Sequence, residues 1–211
     1  MAATTTDNAP VVAIHGSAEP DAPLVVLLHG RGSDEQAILG LAEHLPSGPA
    51  YAAVRAPIVS GGGFAWFANR GIGRPVAESL EATIAWFREW LDEIAPAGRP
   101  VVLIGFSGGA AFAGGLVLAD PRRFSGTAIL YGTMPFGAGL DTGSGTLAGT
   151  PMFVAQGEQD TVMPPDLMAR TWEYLHGTSG AVLTSHRDAS AHALSPAALA
   201  ALQAWLSQRV A

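Results

Sequence analysis

The sequence predicts an α/β fold with a mainly parallel central sheet flanked by helices, and three observations carry that reading. Short apolar runs with no polar face, at Leu24–Leu28, Val101–Ile104 and Pro151–Ala155, suit strands buried on both sides. Between such runs lie longer stretches whose apolar residues recur at three- and four-residue steps, as amphipathic helices require. Breaks rich in Gly and Pro separate the two periodicities throughout, so strands alternate with helices and imply βαβ units with right-handed crossovers. Neither an internal repeat nor a compositional boundary interrupts the pattern. The 211 residues therefore read as one domain, 1–211, large enough for a full core, with residues 1 to about 10 as a loose polar tail.

Taken in order, Val11–Ile14 reads as a short edge strand and 18–23 as a turn. Leu24–Leu28 is a buried strand ending in His29-Gly30-Arg31-Gly32. Ser33 is placed to cap the next helix, with Gln36 completing a capping box, and Pro46-Ser47-Gly48-Pro49 stops that helix. A strand follows at Tyr51–Val54. The segment from Ala56 to Arg74 reads as a long loop carrying Phe64, Trp66 and Phe67, and neighbouring bulky rings that cannot all point inward suggest a pocket wall. From Pro75 to about Ile94 a helix is marked by Val76, Leu80, Ile84, Phe87, Leu91 and Ile94 on one side and acidic residues and Arg88 on the other. Thr127–Tyr131 is the next strand, leading to Met134, a further candidate for the apolar pocket. Residues 136–150, rich in Gly, Ser and Thr, read as a mobile loop too short for a lid domain. The strand at 151–156 ends in Gly157-Glu158-Gln159-Asp160, Pro165 begins a helix that Gly177 ends, and Ala181–His186 is the last strand. Ser195-Pro196 opens the terminal helix, which runs to about Gln208.

The composition excludes several kinds of chemistry. There is no cysteine, hence no disulfide, thiolate-held metal or cysteine nucleophile, and no His/Asp/Glu spacing resembles a metal ligand set. All eleven basic residues are arginine, so Schiff bases, covalently held pyridoxal phosphate and a P-loop lysine are excluded too. A net charge of −7 without a basic cluster disfavours nucleic acid. No apolar run approaches a membrane span, and the N-terminus lacks the pattern of a signal peptide, so the cytoplasm is the expected compartment.

Serine remains as the plausible covalent nucleophile, and one serine is placed for it. Gly105-Phe106-Ser107-Gly108-Gly109 joins the strand at 101–104 to an Ala/Leu-rich run long enough for three helical turns. A sharp strand-to-helix turn crowds its neighbours, so the flanking positions must be nearly free of side chains. The corner then pushes the Ser107 hydroxyl out of the sheet, where the following helix aims its free N–H groups. With 26 glycines the bare Gly-x-Ser-x-Gly pattern arises easily by chance; its placement at the junction, which no other serine shares, gives it weight.

A serine hydroxyl needs an imidazole to take its proton, and the imidazole needs a carboxylate to fix its tautomer. Of six histidines, His15 lies in a first turn, His44 inside a helix and His176 at a helix end. His29 is better placed to brace its loop, and His186 closes the last strand as a second choice for the base. His192 sits between the last strand and the last helix, flanked by alanines that leave room for the ring. Among the carboxylates, Asp166 reads as a first-turn helix charge, Asp188 as a solvated loop residue and Asp141 as part of the mobile loop. Asp160 follows a strand directly and is held by a proline-rich exit. Candidate oxyanion donors are the backbone N–H groups of Gly108, just after the nucleophile, and of Arg31, between two glycines. All of these fall at the carboxyl ends of strands, where open α/β sheets carry their sites.

On these motifs the chain resembles the α/β-hydrolases and, more narrowly, the small lidless phospholipase/carboxylesterase family that includes acyl-protein thioesterases. The matching elements are Leu28–Gly32, Trp66-Phe67, Gly105–Gly109, Gly157–Asp160 with Pro164, and His192, and they span the chain from Leu24 onward. Where this chain has Gly108 and Gln156, relatives often carry Gln and His. The resemblance implies a Ser107–Asp160–His192 triad, no cofactor, no metal, and hydrolysis of carboxylic esters or thioesters. The expected activity is a serine carboxylesterase for small, short-to-medium acyl esters, with a (lyso)phospholipase or thioesterase as the alternative and a non-catalytic binding protein behind both. The expected partner is a small-molecule ester, with no nucleic acid and no membrane span, and with a homodimer left open as the assembly.

Overall fold

In the computed structural model, which describes residues 9–210, the apolar run at 24–28 forms an inner strand of the sheet, with strands paired on both of its edges. The expected loose tail lies almost wholly outside the described residues. The elements in chain order are β1 (Val12–Gly16), β2 (Leu24–Leu28), α1 (Glu35–Leu39, continued by a 3-10 turn over Gly40–His44), β3 (Ala50–Val54), β4 (Ile58–Ser60), β5 (Gly63–Ala65), β6 (Asn69–Gly71), β7 (Arg74–Pro75), α2 (Ala77–Ile94), β8 (Val101–Phe106), α3 (Gly108–Ala119), β9 (Gly126–Leu130), β10 (Pro151–Gly157), α4 (Pro165–His176), β11 (Val182–Asp188) and α5 (Pro196–Ser207).

Seven strands form one sheet in the order β1-β3-β2-β8-β9-β10-β11. Only β1 is antiparallel to its neighbour, and every other pairing is parallel. The period-2 alternation of strand side chains explains why both faces are dry. Leu24, Val26 and Leu28 point into a core shared with α2, α3 and α4, while Val25 and Leu27 point into one shared with α1 and α5. In the first core Trp66 stacks on Phe112 with ring centroids 4.5 Å apart, and Phe87 meets Phe112 edge-on. This is the mainly parallel, helix-flanked architecture of an α/β-hydrolase, and among the described residues no segment forms a lid. No described helix is long and apolar enough to cross a membrane.

Several local expectations give way. Asp34, not Ser33, caps α1, its Oδ1 accepting the Ala37 N–H at 2.9 Å. Ser33 pairs its backbone with Phe64 instead, which ties the segment after β2 to the β4–β5 hairpin. The expected loop at 56–74 is two short hairpins, β4–β5 and β6–β7, because glycines at 61–63, 71 and 73 allow tight reversals. Pro75 belongs to β7, and α2 starts two residues later. The segment expected to be a mobile loop is anchored: Phe136, Ala138 and Leu147 are buried, and backbone N–H groups of Gly145, Leu147 and Gly149 donate to the carbonyls of Thr178, Ser179 and Gly180.

Candidate active site

β8 delivers Ser107 to the carboxyl edge of the sheet, and the chain turns there at once into α3. Ser107 adopts φ 54° and ψ −114°, a conformation that non-glycine residues avoid and that a sharp turn enforces. The Ser107 N–H donates to the Leu130 carbonyl at 2.9 Å, which pins the corner to β9.

β10 ends one turn before Asp160. Its carboxylate is buried, at 1% side-chain exposure, and Oδ1 accepts the N–H groups of Val162 (2.9 Å) and Met163 (3.0 Å). Oδ2 is left for the imidazole of His192, whose Nδ1 lies 2.7 Å away. The other ring nitrogen, Nε2, lies 2.9 Å from Ser107 Oγ. A carboxylate only accepts, so Nδ1 carries the proton and Nε2 presents a lone pair to the serine hydroxyl. Phe106 packs against the imidazole with ring centroids 5.1 Å apart. The structure thus brings Ser107, His192 and Asp160 into one hydrogen-bonded line from positions 32 and 85 residues apart.

The remaining histidines serve elsewhere. His29 is fully buried; its Nδ1 donates to the Gly30 carbonyl at 2.7 Å and its Nε2 accepts the Ala56 N–H at 3.1 Å. Burial pushes its pKa below the ordinary histidine value, in keeping with a neutral ring that braces the loop after β2. His176 lies between the Trp172 carbonyl and Ser185, and His15 lies beside the Tyr51 ring. His186 Nε2 lies 2.9 Å from Asp188 Oδ2. Asp188 is not the solvated loop residue expected: it closes β11, and donation from the Ser190 and Ser195 hydroxyls and from His186 holds its carboxyl well below the usual range.

The backbone N–H groups of Arg31 and Gly108 meet beside Ser107. A β-carbon on Gly108 would stand 3.3 Å from the Arg31 nitrogen, and neither N–H donates to any acceptor among the described residues. That leaves two backbone N–H groups unspent beside Ser107. The Arg31 side chain reaches across to the hairpins: Nη1 donates to Ser60 Oγ at 3.0 Å and Nη2 to the Phe67 carbonyl at 2.5 Å, which fixes the strand-end loop against them.

A cleft of about 530 Å³ opens over these groups, walled by Phe67, Ile72, Ala111, Val162 and Met163, with Asn69 at its side. Of the four residues expected to line it, Phe67 does. Trp66 turns the other way, into the core, where its Nε1–H donates to the His29 carbonyl at 2.8 Å. Phe64 lies in β5 under the Arg55 guanidinium, which sits 4.7 Å from the ring centroid. Met134 is fully buried against Gly114 of α3. Trp66 and Phe67 lie in the bend between β5 and β6, and of the two only Phe67 reaches the cleft, so the cluster divides between core and cleft. Ile72, Val162 and Met163 went unnoticed in the sequence because nothing in their local pattern sets them apart from other loop residues.

A family model described as Phospholipase/Carboxylesterase matches residues 9–210. No curated protein sequence matches the chain. Among solved structures, the Mesorhizobium loti carboxylesterase is similar at 25% identity and TM-score 0.83, over 96% of each chain. The Bacillus cereus carboxylesterase is similar at 24% identity and TM-score 0.83, again over 96% of each chain. The phospholipase/carboxylesterase of Dyadobacter fermentans shares the fold at 20% identity and TM-score 0.75, over 93% of this chain and 95% of that one. With the family model spanning nearly all of the sequence and the same sheet and helices in these esterases, the chain belongs to the phospholipase/carboxylesterase family and is an esterase-type hydrolase.

Proposed function

We propose that this single α/β-hydrolase domain is a serine carboxylesterase that cleaves small, short-to-medium-chain carboxylic esters through an acyl-enzyme. The observation that supports it most strongly is the unbroken line from Ser107 Oγ through His192 to Asp160 Oδ2. His192 Nε2 takes the hydroxyl proton as Ser107 Oγ attacks the ester carbonyl, and the Oγ–C bond forms while the carbonyl electrons move onto oxygen. The Arg31 and Gly108 N–H groups receive that oxyanion, each donor of this kind contributing about 10²–10³ in turnover. Asp160 orients the ring and stabilises the imidazolium. Collapse of the tetrahedral intermediate breaks the C–O bond, and His192 returns the proton to the leaving alkoxide. A water molecule, deprotonated by the same Nε2, then releases the acid from Ser107. The scheme calls on no cofactor. An apolar cleft of about 530 Å³ suits a modest acyl group.

The test is turnover of p-nitrophenyl esters of increasing chain length, alongside an acyl-CoA and a lysophospholipid, by wild type and Ser107→Ala. We expect the short-to-medium esters to be preferred, and loss of the nucleophile to cost about 10⁶. Retention of more than about a tenth of the activity, or failure of a fluorophosphonate to label Ser107, would remove the covalent mechanism. Preference for the thioester or the lysophospholipid would keep the triad and change the substrate.

A further inference from the structure

The loop bearing His192 leaves the sheet at Asp188 and enters α5 at Ser195, and one carboxylate holds both of its ends. Asp188 Oδ1 accepts the Ser190 N–H at 3.0 Å and the Ser190 hydroxyl at 2.5 Å. Oδ2 accepts the Ser195 hydroxyl at 2.5 Å and the His186 Nε2–H at 2.9 Å. The Tyr131 hydroxyl bridges the same two serines, 3.0 Å from Ser190 Oγ and 3.4 Å from the Ser195 nitrogen. One proton arrangement satisfies every group: the Ser195 N–H donates to the Tyr131 oxygen, Tyr131 to Ser190 Oγ, and Ser190 to Asp188. Ser195 Oγ, while donating to Asp188, also accepts the Ala198 N–H at 3.0 Å and so caps α5.

The same loop is seated on the turn that carries Asp160. The Glu158 N–H donates to the Asp188 carbonyl at 2.8 Å and the Gln159 N–H to the Ser190 carbonyl at 3.0 Å. The approach is so close that a β-carbon on Gly157 would overlap the carbonyl oxygens of Ser190 and Ala191. Beyond Ser190 the Ala193 N–H donates to the Ala191 carbonyl at 2.9 Å, Leu194 packs on the core and Phe106 lies against the imidazole. The His192 ring itself makes two hydrogen bonds, to Asp160 and to Ser107, and the side chains of Ala191 and Ala193 add none.

We propose that Asp188 is a positioning residue for the esterase reaction, its carboxylate tying Ser190 to Ser195 so that the arc between them holds His192 between Asp160 and Ser107. The inference rests on the triad reading given above. It requires a carboxylate specifically, because both oxygens are spent as acceptors, two bonds on each. An asparagine keeps the shape but turns one of those acceptors into a donor that faces the Ser195 hydroxyl, and one tie is lost.

The experiment compares Asp188→Asn, Ser190→Ala and Ser195→Ala with wild type in ester turnover, thermal unfolding and NMR titration of the histidine rings. For folded Asp188→Asn we expect kcat to fall about 10²-fold with KM little changed, the scale of an ångström-sized misplacement of a reacting group. The His192 ring signals and their titration should move as well, a response that a purely stabilising residue does not produce. Combining Asp188→Asn with Ser195→Ala should add little to either change, since both cut the same tie. If folded Asp188→Asn keeps kcat within about twofold and the His192 titration is unmoved, Asp188 only stabilises the fold and the proposal is overturned, whatever the loss in Tm. Should Asp188→Asn not fold, the two serine variants decide by the same criteria. Activity surviving in Ser107→Ala would instead overturn the triad reading, and the NMR titration distinguishes that outcome because it does not depend on turnover.

Discussion

Gly109 lies so close to Leu28 that a β-carbon there would overlap the Leu28 carbonyl oxygen, with the His29 carbonyl oxygen beside it. The start of α3 is therefore seated on the end of β2, and that contact brings Gly108 beside the Arg31 backbone nitrogen. Gly109→Ala must push two backbone segments apart, and we expect it to cost about 3 kcal/mol or more in urea unfolding. At Gly108 the nearest atom to such a carbon is the Arg31 nitrogen at 3.3 Å, tight but open to a small adjustment. Gly108→Ala should remain folded and lose up to about tenfold in kcat, through displacement of one oxyanion donor.

Asp160→Asn separates the acid's two duties. Its Oδ1 can still accept the Val162 and Met163 N–H groups, so the turn and the fold should persist. The amide nitrogen facing His192 forces the wrong tautomer, and kcat should fall about 10⁴-fold with little change in Tm. Steady-state turnover and a thermal scan of the same sample check both halves.

His29 makes stability depend on pH in a definite direction. Its Nε2 accepts the Ala56 N–H, burial lowers its folded pKa, and the unfolded ring titrates near about 6.5. The unfolded chain thus takes up the proton first. The contribution is complete above that value and declines as the pH falls below it. Urea midpoints between about pH 7.5 and 5.5 should drop further for wild type than for His29→Asn, in a window above carboxylate titration. Equal slopes would show that the buried ring is not responsible.

Trp66 and Phe67 are neighbours with different duties. Trp66→Ala removes the stack on Phe112 and the bond to the His29 carbonyl, and should cost about 3–5 kcal/mol in unfolding experiments. Phe67→Ala, which opens the wall of the cleft, should also raise KM for longer acyl chains. Equal changes in KM for the two variants would contradict this division of core from cleft.

Much of the site was legible because strand and helix periods, and the junctions between them, are local properties of a chain. Apolar runs without a polar face marked the parallel strands, and parallel strands put their exits on one edge, so Ser107, Asp160 and His192 stood out by position. Glycines flanking Ser107 carried the turn, since only a residue without a side chain tolerates the approach of Leu28 and Ala110. Other features have no local signature. The capping box in the sequence points to Ser33, and it is the β4–β5 hairpin, by engaging the backbone of Ser33, that leaves the cap to Asp34.

The amino-acid sequence by itself determined the fold class, the strand-end placement of Ser107, Asp160 and His192, and the elimination of thiol and lysine chemistry. Only the tertiary structure decided which rings wall the cleft, that Asp188 is a half-buried hydrogen-bonding hub, and that the stretch from 136 to 150 is pinned at Thr178–Gly180. The reason is physical: a period reports which face of an element is apolar, whereas a partner is chosen by sheet order and loop packing. Those bring together residues as distant as Ser107 and His192, whose separation of 85 positions leaves no trace in either neighbourhood.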